Sequence, residues 1–251
     1  MKHTTTALAI LLSLSSMSAV AAQDNDFQHE AGLEYNANSE DAGDGAWNAY
    51  YRYYFEGVDQ GKSPYVLNGF LAQASNIGAN YSNFDVIDSD TIGVDGTFVF
   101  DSNWFVSANY QRNEIGNFDF NTFGAEVGYY FNDSSAVSAF YQDGDSDVED
   151  SYGLTLRSYI ALQSTAGVDL QANWIHSDSD NMFNVGADWY VNNAWSVGAG
   201  YSDSKFFDGF DIRTAYWLRI SDSFSASFEI SKVLDSDADG VGFGIGVIGR
   251  F

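Results

Sequence analysis

Side chains able to break or transfer bonds are sparse in this chain. The histidines are His3, His29 and His176, and there is no cysteine. Only His176, followed by Ser177, Asp178 and Asp180, places a base beside a hydroxyl and carboxylates, as rim catalysis would need. Any polar hairpin turn puts serine and aspartate beside a strand end, so a rim hydrolase stays an alternative and the chain is read as a non-enzyme. Asp235-Ser236-Asp237-Ala238-Asp239-Gly240 copies the first half of a calcium loop, but the twelfth position, where a bidentate glutamate belongs, is Gly246. No dedicated metal or other cofactor is expected, only weak divalent-cation binding by acidic loops.

A second kind of chemistry, the steering of ions, is carried by charges that share one parity. Arg52, Arg157, Arg213, Arg219 and Arg250 fall on the polar positions of alternating segments, together with Glu30, Glu34, Glu56, Asp95, Glu126, Asp169, Asp188, Asp211 and Glu229. Opposed charges in a water-filled pore focus the field on a passing ion. Arg52, Glu56, Asp95, Glu126, Arg157, Asp169, Asp188, Asp211, Arg213, Arg219, Glu229 and Arg250 are therefore the pore-lining candidates. The competing reading is that they only neutralise one another inside a barrel too tight to conduct.

Such charges need strands to hold them. From about residue 91 onward, polar turns at Asp101-Ser102-Asn103, Asn132-Asp133-Ser134, Gln163-Ser164-Thr165, Asn192-Asn193 and Ser221-Asp222-Ser223 alternate with longer acidic connections. Between them the residues alternate apolar and polar, as in Trp104, Val106, Ala108 and Tyr110 against Phe105, Ser107, Asn109 and Gln111. A period of two is a strand with one greasy face. The last strand, Gly240 to Phe251, puts Val241, Phe243, Ile245, Val247 and Phe251 on one face and mostly glycine on the other. Backbone polar groups in lipid must be paired internally, so strands cross only as a closed barrel. The expected fold is all-β, an antiparallel up-and-down transmembrane barrel of about fourteen strands, with twelve or sixteen as alternatives. The uncertainty lies in Tyr65–Ser82, whose parity is muddled by Gly69, Phe70 and Gln73 and which is read as one long strand following a turn at Gly57–Pro64. Short periplasmic turns and acidic external loops are expected, with no obvious segment to form a long constriction loop.

The start of the chain supports export. Lys2, an apolar run around Ala7–Leu14 and small residues at Ala19–Ala22 read as a secretory signal peptide over residues 1–22, leaving a barrel domain over 23–251. Aromatics form 17% of the chain although mean hydropathy is only −0.21, the profile of alternating strands with aromatic girdles. A net charge of −25 argues against nucleic acid as a partner.

The Tyr50-Tyr51-Arg52-Tyr53-Tyr54-Phe55 segment, the hairpin grammar and the terminal Arg250-Phe251 together resemble the outer-membrane porins of gammaproteobacteria, over the whole mature chain. The resemblance implies Sec export, residence in the outer membrane of a Gram-negative bacterium, contact with lipid and lipopolysaccharide, and passive diffusion of small hydrophilic solutes. It also implies delivery to the barrel assembly machinery through the C-terminal strand, with Phe243, Ile245, Val247 and Phe251 as the signal. The acidic loops predict cation preference, and the short loops a monomer or weak homo-oligomer. A non-conducting structural or surface-interaction barrel is the main alternative.

Overall fold

The computed structural model describes residues 26–62, 64–145, 148–205, 207–234 and 240–251. The proposed signal peptide and most of the Asp235–Gly240 run lie outside the described residues.

Fourteen strands follow one another in the chain: β1 (Asp26–Asn38), β2 (Asp41–Asp59), β3 (Asn76–Phe84), β4 (Ser89–Val99), β5 (Trp104–Ile115), β6 (Phe118–Asn132), β7 (Ser135–Gly144), β8 (Ser151–Ala161), β9 (Gly167–Ser177), β10 (Asn181–Tyr190), β11 (Trp195–Asp203), β12 (Asp208–Arg219), β13 (Phe224–Leu234) and β14 (Gly242–Arg250). Each pairs antiparallel with its neighbours in sequence, and β14 pairs with β1 to close the barrel. The closing register sets Glu30 opposite Arg250, Leu33 opposite Val247, Tyr35 opposite Ile245 and Ala37 opposite Phe243. Closure removes both sheet edges, which is what allows the backbone to lie in hydrocarbon. Among the described residues no helix is long and apolar enough to cross a membrane; the crossing is made by strands.

Alternation sorts the two faces as the sequence predicts. Trp104, Val106, Ile212, Phe228, Ile245 and Val247 are exposed on the outside, while Asp169 and Arg250 are buried inside. The end at which β1 begins and β14 finishes also carries the tight turns after β4, β6, β8, β10 and β12, which is the periplasmic end of an outer-membrane barrel.

The expected long strand over Tyr65–Ser82 is not there. After β2, a 3-10 turn (Tyr65–Leu67) leads into a single helical turn, α1 (Asn68–Ala72), and β3 begins only at Asn76. The muddled parity has a physical cause: Asn68 and Leu71, three residues apart, are buried together with Leu67, and a spacing of three shares a face in a helix but not in a strand. Gln73 ends the turn in the left-handed region, at φ 50°. The Gly57–Pro64 turn is also shorter than expected, since β2 runs to Asp59 and buries Val58 against Phe27. The connection Gln60–Ser75 is thus a long one at the periplasmic end, and it folds inward. A long inward connection thus stands where a short turn and a strand are expected. On the external side, β3 and β4 are joined by a second 3-10 turn (Asp85–Ile87).

Candidate functional site: a lumen with a folded-in plug

The inward charges form pairs within a strand, between neighbouring strands, or over the strand between. Arg52 on β2 reaches over β3 to Asp95 on β4, at 2.9 Å. It can do so because the residue between them is Gly78, where an added Cβ would lie 2.9 Å from the Asp95 carboxylate. Arg157 lies against Asp169 at 3.2 Å through Nε and 2.8 Å through Nη2. Arg213 holds Asp188 and Asp211 together, each at 2.8 Å, and Gly198 leaves room for Asp188. Arg250 bonds Glu30 at 2.7 Å across the closing seam.

Toward the periplasm the inward residues change from charged to aromatic. Phe27, Tyr54, Phe105, Tyr130, Tyr159 and Tyr190 are all buried there, and the plug fills the space between them. Leu67 and Leu71 pack on Tyr159 and Tyr190, while Phe70 lies beside Tyr130. Arginines hold the plug from the wall: Arg157 stands 4.5 Å over the Phe70 ring, Arg219 stands 5.1 Å over Tyr65, and Arg250 donates to the Tyr65 carbonyl and to Asn68 Oδ1 at 3.1 and 2.9 Å. Asn68 is fully buried and donates to the Lys62 carbonyl at 2.6 Å. One backbone and one side-chain hydrogen bond complete the seat, from the Tyr65 N–H to the Asn193 carbonyl and from Gln73 Nε2 to the Asn132 carbonyl. Gly69 is required by close approach, because a Cβ there would lie 2.4 Å from the Tyr54 hydroxyl.

Two cavities remain beside the plug, and Val66 borders both. One, of about 240 Å³, is lined by Glu34, Asp188, Arg213, Trp217 and Glu229. The other, of about 410 Å³, is lined by Arg52, Glu126, Arg157 and Arg250 with Tyr54 and Phe70.

A family model described as "Putative general bacterial porin" matches residues 1–171. The chain belongs to this porin family. Among solved structures, the Acinetobacter baumannii outer membrane protein Omp33 superposes with a TM-score of 0.69 at 23% identity, covering 91% of this chain and 100% of Omp33. CdiB, also from Acinetobacter baumannii, superposes at 0.54 with 8% identity, over 89% of this chain and 60% of CdiB. Both similarities concern the fold. Comparison with curated proteins gives no match. Family and fold together make the molecule an outer-membrane porin-like barrel of the Gram-negative type.

In this porin, the structure brings Arg52, Asp95, Arg157, Asp169, Asp188, Asp211, Arg213 and Arg250 into ion pairs and places Glu126 and Glu229 on cavity walls. Arg219 meets the plug. Glu56 is exposed on the last stretch of β2, past a break in the β1–β2 register, and lines neither cavity. On β14, Ile245 and Val247 face outward, and the Phe251 carbonyl accepts the N–H groups of Gln28 and His29 while its ring stacks on His29 at 5.6 Å. His176 lies against Tyr152 and Trp174, and its Nδ1 is 3.0 Å from Asn181 Oδ1. Among the described residues no three metal-ligating side chains converge; Asp145 and Asp180 instead accept backbone N–H groups.

Sequence reading missed the plug residues Tyr65, Leu67, Asn68, Phe70 and Leu71 and the aromatics that receive them. A signal existed: inward Phe105, Tyr130, Tyr159 and Tyr190 each stand near the periplasmic end of a strand, and a water-filled lumen gives such rings nothing to pack on.

Proposed function

We propose that this porin is a channel for passive diffusion of small hydrophilic solutes and ions, cation-preferring, whose periplasmic mouth is stopped at rest by residues 64–75. The observation that carries this reading is the pairing of a charged, cavity-bearing lumen with a plug docked on aromatic and arginine side chains. Charged walls serve a water path, and a stopper serves only a barrel that has a path to stop. Export through the Sec pathway, assembly through the Phe243–Phe251 strand, contact with lipopolysaccharide and a monomeric state belong to the same reading, and loose divalent-cation binding belongs to the acidic external turns.

The plug also favours a second reading, a barrel that does not conduct. Planar-bilayer recording separates the two. The full chain is expected to give rare or brief openings, and a variant with residues 64–74 replaced by a short Asn-Gly turn is expected to give long, stable steps. If neither protein gives steps while both insert as folded barrels, the channel reading is wrong and the structural one stands.

A further inference from the structure

The inward arginines of this barrel are all engaged. Arg52 is paired with Asp95, Arg157 with Asp169, Arg213 with Asp188 and Asp211, and Arg250 with Glu30, while Arg219 covers the Tyr65 ring. Of the carboxylates that share the lumen with them, Glu34, Glu126 and Glu229 have no ion-pair partner among the described residues. Glu34 and Glu229 line the smaller cavity and Glu126 the larger, so each cavity beside the plug carries at least one carboxylate outside any ion pair.

The wall is shaped to leave two of them room. Glu34 on β1 and Glu229 on β13 flank β14, whose inward residues between them are Gly244 and Gly246. An added Cβ would lie 3.0 Å from Glu34 Cγ at Gly246 and 3.6 Å from Glu229 Cβ at Gly244. Glycine there is required by close approach, because an added Cβ would also lie 2.5 Å from Ser227 Oγ at Gly246 and 2.5 Å from Asn36 Oδ1 at Gly244, so the two carboxylates and these polar neighbours pack against bare backbone. A closely paired charge presents a passing ion with a short dipole whose field decays quickly, whereas a lone carboxylate presents its full charge.

We propose that Glu34, Glu126 and Glu229, and not the acidic external turns, set the ion selectivity of the channel. The inference rests on the channel reading above. It differs from what the net charge of the chain alone implies, because it assigns the preference to lumen residues that carry a small part of the total acidity.

The test is reversal potential in a potassium chloride gradient, recorded on the full chain and on the variant with residues 64–74 replaced. Each is combined with Glu34→Gln, Glu126→Gln, Glu229→Gln, the triple substitution, or an external control, Asp88→Asn with Asp143→Asn. The cation-to-anion permeability ratio is expected to fall by about twofold for each glutamate removed, the scale of one unit charge a few Å from a hydrated ion, and to stay within experimental error in the control. Should the triple variant misfold, the single variants, each a neutral isostere, carry the test. An unchanged ratio in the glutamate variants, or a loss of selectivity in the control alone, would overturn the assignment while leaving the channel intact. Anion preference in the unsubstituted barrel also overturns it. Absence of any steps in every protein overturns the channel reading, and the assignment with it.

Discussion

The two ends of the barrel solve the same problem with different chemistry. At the external end the strands run nearly to their turns and the inward side chains are small and polar, bonded to one another: Ser82 to Asn48 at 3.1 Å and Thr91 to Asn113 at 2.9 Å. At the periplasmic end the inward side chains are aromatic and are covered by a segment of the chain's own connection. Polar pairs across a strand ladder leave the centre of the lumen wet. An aromatic layer with no partner would expose a large apolar surface to that water, so it and the plug are stable only together. A mouth can be left open by its wall chemistry, or closed by it, without any change in strand number.

This contrast can be broken most severely at Arg250. Its side chain is 7% exposed and pairs with Glu30, which is 12% exposed, and removal of one partner of a buried pair costs about 3–5 kcal/mol. Arg250→Ala should therefore lower the temperature at which the heat-modifiable folded band is lost and release the plug as well; an unchanged transition would mean that the periplasmic end is not the more tightly built of the two. Gly69→Val attacks the plug alone. The new side chain collides with the Tyr54 hydroxyl, an overpacking cost of about 1–3 kcal/mol, and should raise the open probability in bilayers while the barrel stays folded. The same change at an exposed external glycine such as Gly43, which has nothing within 4 Å of an added Cβ, should leave open probability alone.

The smallest expected effect lies at the external end. The Asn121 backbone N–H, 2.6 Å from Asp145, holds that carboxyl below the usual carboxylate range. A depressed folded value means the tie is fully present above the ordinary carboxylate pKa and is lost as the pH falls through the lowered one. Because Asp145 is exposed, acidification should free the β7–β8 turn, seen as faster amide exchange at Asn121, without measurable change in barrel stability or conductance.

Much of this architecture was legible in the sequence. Alternation at Trp104–Gln111 and in the strands after it, the regular turns, and the glycine-rich face of Gly240–Phe251 lead to an antiparallel closed barrel, and the fourteen strands agree with that count. Those signals are local and repeat many times. Arg213 has one partner, Asp211, two residues away on the same strand, but its pairing with Asp188 was not legible, because it depends on register between strands and the two residues are 25 apart in the chain. Nor was the plug, because a five-residue helical turn has too few residues to show a period, and Tyr65–Ser82 reads as a damaged strand until the buried face of Leu67, Asn68 and Leu71 is seen. The inward aromatics were visible but were absorbed into an overall aromatic richness that girdles also explain.

The anchoring of the plug by Arg250 has a consequence in time. The segment it holds is made early in synthesis, yet its anchor is the penultimate residue, 185 and 182 positions away from its two partners, Tyr65 and Asn68. A chain that has not yet reached its final strand lacks this anchor, although Arg157 on β8 and Arg219 on β12 already reach Phe70 and Tyr65. The last strand thus adds the final tie of the stopper in the same step that closes the barrel.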